Sequence, residues 1–167
     1  MSLEKFATDH AGKNAIIMEG SGAATSFADL NERSRSIAAL LRSSLEVGDR
    51  FSLLLENCPE YFELSWAARR AGLRWVPINW HLHSQEVSYI VENSDSRILV
   101  SSPKLADLAG EVAAKIAAID SCFSTRETFG TFSAISGAIE SLEDEQFEQS
   151  NEGMFMLYSS GTTGQPK

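Results

Sequence analysis

The sequence predicts an α/β fold in which a mostly parallel sheet carries helices on both faces. Short apolar segments, such as FSLLL at residues 51–55, alternate with stretches whose apolar residues recur at helical spacing. The intervals between these segments are long enough for helical crossovers, which join parallel strands. The apolar segments also lack regular polar alternation, as expected of strands that are covered on both faces.

Length, composition and charge restrict the classes of function. The chain has 167 residues, which corresponds to one domain or to part of a larger one. Hydrophobic residues make up 43% and charged residues 22%, which excludes wholesale disorder. The net charge of −9 argues against nucleic acid or an anionic membrane as a general partner. A small anionic ligand would therefore need a local source of positive potential.

Residues 14–27 are predicted to form a β-hairpin. An apolar run, AIIME, is followed by the turn-forming sequence Gly20-Ser21-Gly22, after which ATSF resumes an extended segment. The glycines do not complete a dinucleotide-binding motif, because Thr25 stands where the third glycine would be required.

A first long helix is predicted to begin after Ser26 and to end before Gly48. Ser26 and Asp29 have the spacing of a capping box. The apolar face of this helix is marked by residues at helical spacing: Leu30, Ile37, Leu41 and Leu45.

A second helix is predicted to begin at Pro59, since proline is tolerated at the first helical position, and to end at Gly72. Arg69 and Arg70 fall in its last turn. We interpret them as cations that balance the helix dipole, with anion binding as the alternative.

The chain then repeats the strand–helix unit twice. A strand at 75–78 is followed by a helix that Ser84 is predicted to cap. A strand at 98–100 is followed by a helix over 102–119, whose apolar residues form a continuous stripe. Residues 27–139 as a whole are predicted to consist of such alternating helices and strands.

Residues 140–152 have a different composition from the rest of the chain. Six of these thirteen positions are acidic and none is basic: Glu140, Glu143, Asp144, Glu145, Glu148 and Glu152. We predict a solvated acidic linker. A metal-binding acidic cluster is the alternative, although nothing in the sequence fixes its geometry.

The two cysteines and the N-terminal segment indicate a cytoplasmic protein. Cys58 and Cys122 form no CxxC motif, so we expect reduced thiols, with a disulfide between them left open. The N-terminus lacks the apolar run of a signal peptide, and no window approaches the ~18 apolar residues of a membrane span. We therefore expect no integral membrane segment.

The aromatic and histidine residues are expected to have structural roles. His81 and His83 are two positions apart with no third ligand nearby, so we predict a loop at the ligand-bearing edge of the sheet rather than a metal site. Trp66, Trp75 and Trp80 are expected to pack rather than to stack against a ligand.

The segment at residues 154–167, MFMLYSSGTTGQPK, has the composition of a phosphate-binding loop. A predicted strand over 154–158 is followed by glycines that let backbone N–H groups converge on an anion, by hydroxyl donors and by a lysine. It is not a Walker A motif, because its glycines are only three apart and Pro166 precedes the lysine. On composition alone a Ser/Thr/Gly linker is the alternative. The candidate phosphate-binding residues are Ser159, Ser160, Gly161, Thr162, Thr163, Gly164 and Lys167.

The string YSSGTTGQPK resembles the phosphate-loop signature of the adenylate-forming (AMP-binding) superfamily. That superfamily includes acyl-CoA synthetases, adenylation domains of nonribosomal peptide synthesis and firefly-type luciferases. The resemblance extends upstream over residues 25–79, through TSFADL, GDR, NCPE and GLRWVPIN. Residues 76–100 and 152–167 together are most similar to acyl-CoA synthetases (fatty-acid–CoA ligases).

The resemblance implies a two-step ligase reaction. A carboxylate attacks the α-phosphate of Mg-ATP to give an acyl-adenylate and pyrophosphate, and the thiol of coenzyme A then displaces AMP. By position, the seven candidate residues would hold the β- and γ-phosphates. The resemblance assigns no catalytic nucleophile, general base or metal ligand to this chain. The alternatives are an adenylation domain that loads a carrier protein, and a non-catalytic nucleotide-binding or interaction module.

The resemblance also implies that these residues are the N-terminal portion of a large AMP-binding domain, since enzymes of the superfamily are several times longer. We therefore expect the 167 residues to be inactive alone and to require the remainder of their own chain. The lysine at the end suggests a proteolytic product or a remnant of a longer chain. A homodimer is compatible with this picture.

Overall fold

The computed structural model describes residues 3–142, 147, 149 and 153–158. The elements of the first half are α1 (Leu3–Asp9), β1 (Asn14–Ile17), β2 (Ala24–Ser26), α2 (Phe27–Arg42), β3 (Arg50–Leu54), α3 (Pro59–Ala71) and β4 (Arg74–Ile78). Those of the second half are α4 (Ser84–Asn93), β5 (Ile98–Ser101), a 3₁₀ turn (Pro103–Leu105), α5 (Ala106–Ala113), β6 (Ser121–Ser124), β7 (Ser133–Ala134), α6 (Ile135–Glu140) and β8 (Met154–Phe155).

The central sheet has the strand order β7-β6-β5-β3-β4-β8 in the described part of the chain. Each neighbouring pair in it is parallel, with Phe51 of β3 opposite both Trp75 of β4 and Ile98 of β5. The predicted α/β class with a mostly parallel sheet is therefore confirmed.

Helices cover both faces of this sheet. Phe51 and Leu53 of β3 point into a core that they share with α2, α3 and the start of α6. Leu54, on the same strand, points into a second core that it shares with α4 and α5. This alternation follows from the two-residue period of a strand and explains why the apolar segments are almost continuous in sequence.

The N-terminal hairpin is a separate two-stranded sheet. β1 and β2 pair antiparallel, and Met18 and Gly22 make backbone hydrogen bonds within the connecting turn. A small apolar cluster of Leu3, Ile16 and Leu30 joins α1 and the hairpin to the first turns of α2.

Local capping signals place the two long helices. The Ser26 hydroxyl accepts a hydrogen bond from the backbone N–H of Asp29 at 3.1 Å, which fixes the start of α2. Pro59 is the first residue of α3, and Gly72 ends that helix in the left-handed conformation with φ of 71°.

The predicted cap of α4 is wrong by one residue. His83 is the capping residue, and its backbone N–H donates to the Glu86 carboxylate at 3.0 Å. The Ser84 hydroxyl instead donates to Glu111 of α5 at 2.8 Å. Ser84 is thus the first helical residue and links two helices of the same layer.

Two predicted lengths are also wrong. The helix predicted over 102–119 begins with a 3₁₀ turn and ends at Ala113, although Ile116 remains buried in the same core. The apolar stripe therefore continues beyond the helix, because the turn leading to β6 packs on the same surface. The strand predicted over 154–158 is confined to Met154 and Phe155, with one further backbone hydrogen bond to β4 from Met156.

The acidic segment is described only in part. Leu142 and Phe147 pack against the α2–α3 core, and the Gln149 amide donates to the Glu4 carboxylate at 2.9 Å. Residues 143–146, 148 and 150–152 lie outside the described residues, so the linker and the acidic cluster stay predictions.

Cys58 is buried and Cys122 half-buried, and both are free thiols.

Among the described residues, no helix is long and apolar enough to span a bilayer.

Candidate functional site

The strand order predicts a ligand-binding crevice at the carboxyl edge of the parallel sheet. The chain leaves β3 toward α3 on one face of the sheet and leaves the neighbouring β5 toward α5 on the other face. In open α/β sheets, ligands bind where adjacent connections diverge in this way.

The segment that leads to the candidate phosphate-binding residues reaches this edge along β4. Met154 and Phe155 pair in parallel with Arg74 and Trp75, and the backbone N–H of Met156 donates to the Trp75 carbonyl at 2.8 Å. The segment therefore runs toward the carboxyl end of the sheet.

Tyr158 is the last described residue before the candidate loop. Its hydroxyl donates to the side-chain oxygen of Asn93, at the end of α4, across 2.7 Å. Burial, followed by the influence of Tyr89 and Asp95, raises the pKa of Tyr158 above its ordinary value, so the phenol is a hydrogen-bond donor throughout the neutral range. The structure thus locates the residue from which the candidate loop continues.

The seven candidate phosphate-binding residues themselves lie outside the described residues: Ser159, Ser160, Gly161, Thr162, Thr163, Gly164 and Lys167. Their assignment as a phosphate-binding loop stays a prediction from the sequence.

A cleft of about 1000 Å³ with a mixed polar and apolar lining opens beside this segment. Its walls come from the hairpin, from the start of α3 and from the residues that follow β4, and Leu157 lines it directly before Tyr158. Ile17, Phe62 and Leu157 expose 67%, 43% and 65% of their surface. The cleft was not predicted from the sequence, because its only local signal is a group of apolar residues at positions that also fit a core.

Polar side chains form two pairs farther along the same edge. The Ser102 hydroxyl, after β5, donates to the Glu56 carboxylate, after β3, at 2.5 Å. Arg126, after β6, donates to Glu60 of α3 at 3.0 Å. Burial alone would raise the pKa of Glu60. Hydrogen bonds from its own backbone N–H and from Arg126 outweigh burial, so the pKa of Glu60 is lowered. These carboxylates are therefore engaged in internal contacts.

Cys58 lies at the same edge but is unsuited to be a nucleophile. Burial raises the pKa of its thiol to about 12, so the thiolate is scarce at neutral pH.

The Trp80–His83 loop lies beside the crevice and is held by ring contacts. The rings of Trp80 and His81 are 3.6 Å apart between centroids, and the Lys104 ammonium lies 5.2 Å from the Trp80 ring. In the part of the chain that the structure describes, no three His, Cys, Asp or Glu side chains are grouped to hold a metal ion.

Arg69 and Arg70 differ in their surroundings, although both lie in the last turn of α3. The Arg69 guanidinium lies 5.5 Å from the Trp66 ring. Arg70 is buried and donates to the Asn31 side-chain oxygen of α2 at 2.9 Å. Arg70 lies in the last turn of α3, as the dipole interpretation requires, and its contact with Asn31 also links α3 to α2.

The sequence profile of the AMP-binding enzyme family matches residues 3–167. The chain belongs to this family. It is 34% identical over 103 residues to the crotonobetaine/carnitine–CoA ligase of Citrobacter koseri, covering 59% of this chain and 20% of that protein. It is 30% identical to a fatty acid–[acyl-carrier-protein] ligase of Streptomyces coeruleorubidus, covering 92% of this chain and 28% of that protein.

Solved structures of similar fold include a fatty acyl-CoA synthetase of Mycobacterium tuberculosis. It matches with a TM-score of 0.80 at 22% identity, covering 99% of this chain and 32% of that one. At this level of identity the match supports the fold. The chain therefore spans between a fifth and a third of the length of these AMP-binding proteins.

Proposed function

We propose that the protein is an ATP-dependent acid–thiol ligase that activates a carboxylic acid as an acyl-adenylate and transfers it to coenzyme A. One observation carries the proposal: the hydroxyl- and glycine-rich sequence of residues 159–167 comes immediately after residues 153–158, which run along β4 toward the carboxyl edge of the sheet. Membership of the AMP-binding enzyme family supports it.

The proposed role of the loop is electrostatic. Backbone N–H groups freed by Gly161 and Gly164, neighbouring hydroxyls and the Lys167 ammonium would orient the triphosphate and stabilise the departing pyrophosphate. Mg²⁺ would arrive with ATP, and we assign no ligand for it among the described residues.

The molecule that supplies the acceptor thiol also has to be tested. Coenzyme A is the acceptor named for one relative, whereas an acyl-carrier protein is named for another. A carrier protein is therefore the alternative acceptor, and assays with both thiols separate the two functions.

We further propose that residues 1–167 alone do not complete the reaction, because they span a third or less of the ligases they match. The remainder of the chain would supply the other substrate contacts. A cytoplasmic location, a role in fatty acid metabolism and a homodimer belong to the same proposal.

The decisive experiment uses the full-length protein and measures acid-dependent release of AMP and pyrophosphate over a panel of carboxylic acids. Lys167→Ala is expected to slow adenylation by one to several orders of magnitude, through the loss of an electrostatic contact of ~2–4 kcal/mol. Lys115→Ala is the matched control, because Lys115 pairs with Glu111 at the exposed end of α5. ATP binding that is absent, or unchanged by Lys167→Ala, would favour the non-catalytic module.

A further inference from the structure

We propose that Asn93 and Tyr158 are a positioning pair that sets where the loop of residues 159–167 begins. The inference rests on the proposed function, because it assigns the pair a role in binding the phosphates of ATP. Neither residue would touch the nucleotide.

The helix that supports this contact is firmly packed. Asn93 is the last residue of α4, and Val87, Ile90 and Val91 of that helix are almost fully buried against the sheet. The acceptor oxygen that receives the Tyr158 hydroxyl at 2.7 Å therefore projects from a well-packed element.

Backbone contacts hold residues 153–158 only over their first part. Gly153 donates to the Arg69 carbonyl at 3.3 Å, Met154 to that of Leu73 at 3.2 Å, and Met156 to that of Trp75 at 2.8 Å. The interstrand bonds of this described segment end at Met156.

Leu157 is largely exposed, whereas the Tyr158 ring packs against the core that α4 shares with the sheet and its hydroxyl donates to Asn93. Among the described contacts, this hydrogen bond is the polar contact that orients Tyr158. Residue 159 is bonded to Tyr158, and a displacement of Tyr158 moves the first residue of the loop with it. Binding by converging N–H groups is sensitive to shifts of about 1 Å.

The test compares Tyr158→Phe, Asn93→Ala and the double variant in the full-length protein. Calorimetric titration gives the Kd for ATP, and the acid-dependent assay gives KM for ATP and kcat. Each single variant is expected to weaken ATP binding about 3- to 10-fold, the size of one net hydrogen bond. The double variant should lose no more than a single one, because both changes remove the same contact.

Two controls separate positioning from general stability. Asn93→Gln keeps a neutral amide acceptor and should retain more of the wild-type affinity for ATP than Asn93→Ala. Glu92→Ala removes an exposed neighbour on the same turn of α4 and should change neither Kd nor kcat. The free energy of unfolding is measured for every variant.

Unchanged ATP affinity in both single variants, or additive losses in the double variant, would overturn the inference. A wild-type protein that binds ATP without acid-dependent AMP release would refute the proposed function alone, and the Kd comparison would still decide the role of the pair. A wild-type protein that binds no ATP would refute both.

Discussion

Arg33 of α2 donates to the Glu63 carboxylate of α3 across 2.9 Å, yet the two ends of this ion pair have opposite surroundings. The Glu63 side chain is 5% exposed and the Arg33 side chain 61%. Burial raises the pKa of Glu63 in spite of the guanidinium, and the nearby Glu60 and Asp29 add to the effect. The solvated cation therefore compensates the buried charge incompletely.

Glu63→Gln is expected to increase the free energy of unfolding at pH 7. The amide keeps the volume and the hydrogen bond to Arg33 but carries no buried charge. In the wild type, the folded state binds more protons than the unfolded state between the ordinary pKa of 4.5 and the raised value, so stability falls as pH rises through that window. The advantage of the variant should therefore disappear below pH 4.5.

Urea unfolding at pH 7 and pH 4 measures this difference. Glu32→Gln, on the exposed side of α2, is the control and should stay within about 0.5 kcal/mol of the wild type at both pH values. A Glu63→Gln protein that is less stable than the wild type at pH 7 would show that the ion pair is net stabilising.

The fold could be predicted where local signals decide it. Ser26, Pro59 and Gly72 mark helix ends through chemistry that involves only a few neighbouring residues. The prediction was wrong where tertiary packing decides: the apolar stripe through Ile116 continues beyond the end of α5, because a turn can bury the same face.

The candidate site likewise has features that local sequence predicts and features that depend on tertiary structure. The loop composition is local, so the sequence alone supports a phosphate-binding hypothesis. The Tyr158–Asn93 contact joins residues 65 positions apart, and no sequence pattern indicates that these two side chains meet. The cleft beside residues 153–158 likewise combines Ile17, Phe62 and Leu157 from three distant segments. Such features follow from strand order, which the sequence does not reveal.

Cys58 should resist alkylation in the native protein. A pKa of about 12 in place of 9.0 lowers its thiolate fraction at pH 8 about 1000-fold. We expect iodoacetamide to label Cys58 about 100- to 1000-fold more slowly in the folded state than in urea, as measured by peptide-resolved mass spectrometry.

Cys122→Ser simplifies the measurement, since Cys58 is then the single thiol of the chain. Labelling of native Cys58 at the rate of an ordinary exposed thiol would show that the pocket around it opens readily.

Two glycines in or next to helices should respond to alanine with opposite signs. Gly72 ends α3 with φ of 71°, so Gly72→Ala is expected to destabilise the protein by about 1 kcal/mol. Gly110 lies within α5, and no atom lies within 4 Å of the position that an alanine Cβ would take, so Gly110→Ala is expected to stabilise it by up to about 1 kcal/mol. Thermal and chemical unfolding measure both; effects of equal sign would contradict this expectation.

Gly153→Ala should disturb the strand that leads to the candidate loop. A side-chain carbon at Gly153 would lie 2.2 Å from the Ala68 carbonyl oxygen and 2.6 Å from the Arg69 Cα, both of them backbone atoms that cannot rotate away. Either β8 shifts or the end of α3 gives way, at a cost of about 1–3 kcal/mol in the free energy of unfolding.

Gly137→Ala is the matched control for this substitution, because nothing lies within 4 Å of a side-chain carbon at that exposed position of α6. Chemical denaturation of both variants compares the effects directly. A shift of β8 also displaces Tyr158, so the Gly153→Ala protein should bind ATP more weakly, whereas the Gly137→Ala protein should not. Wild-type stability in the Gly153→Ala protein would mean that residues 153–158 do not depend on their close approach to α3.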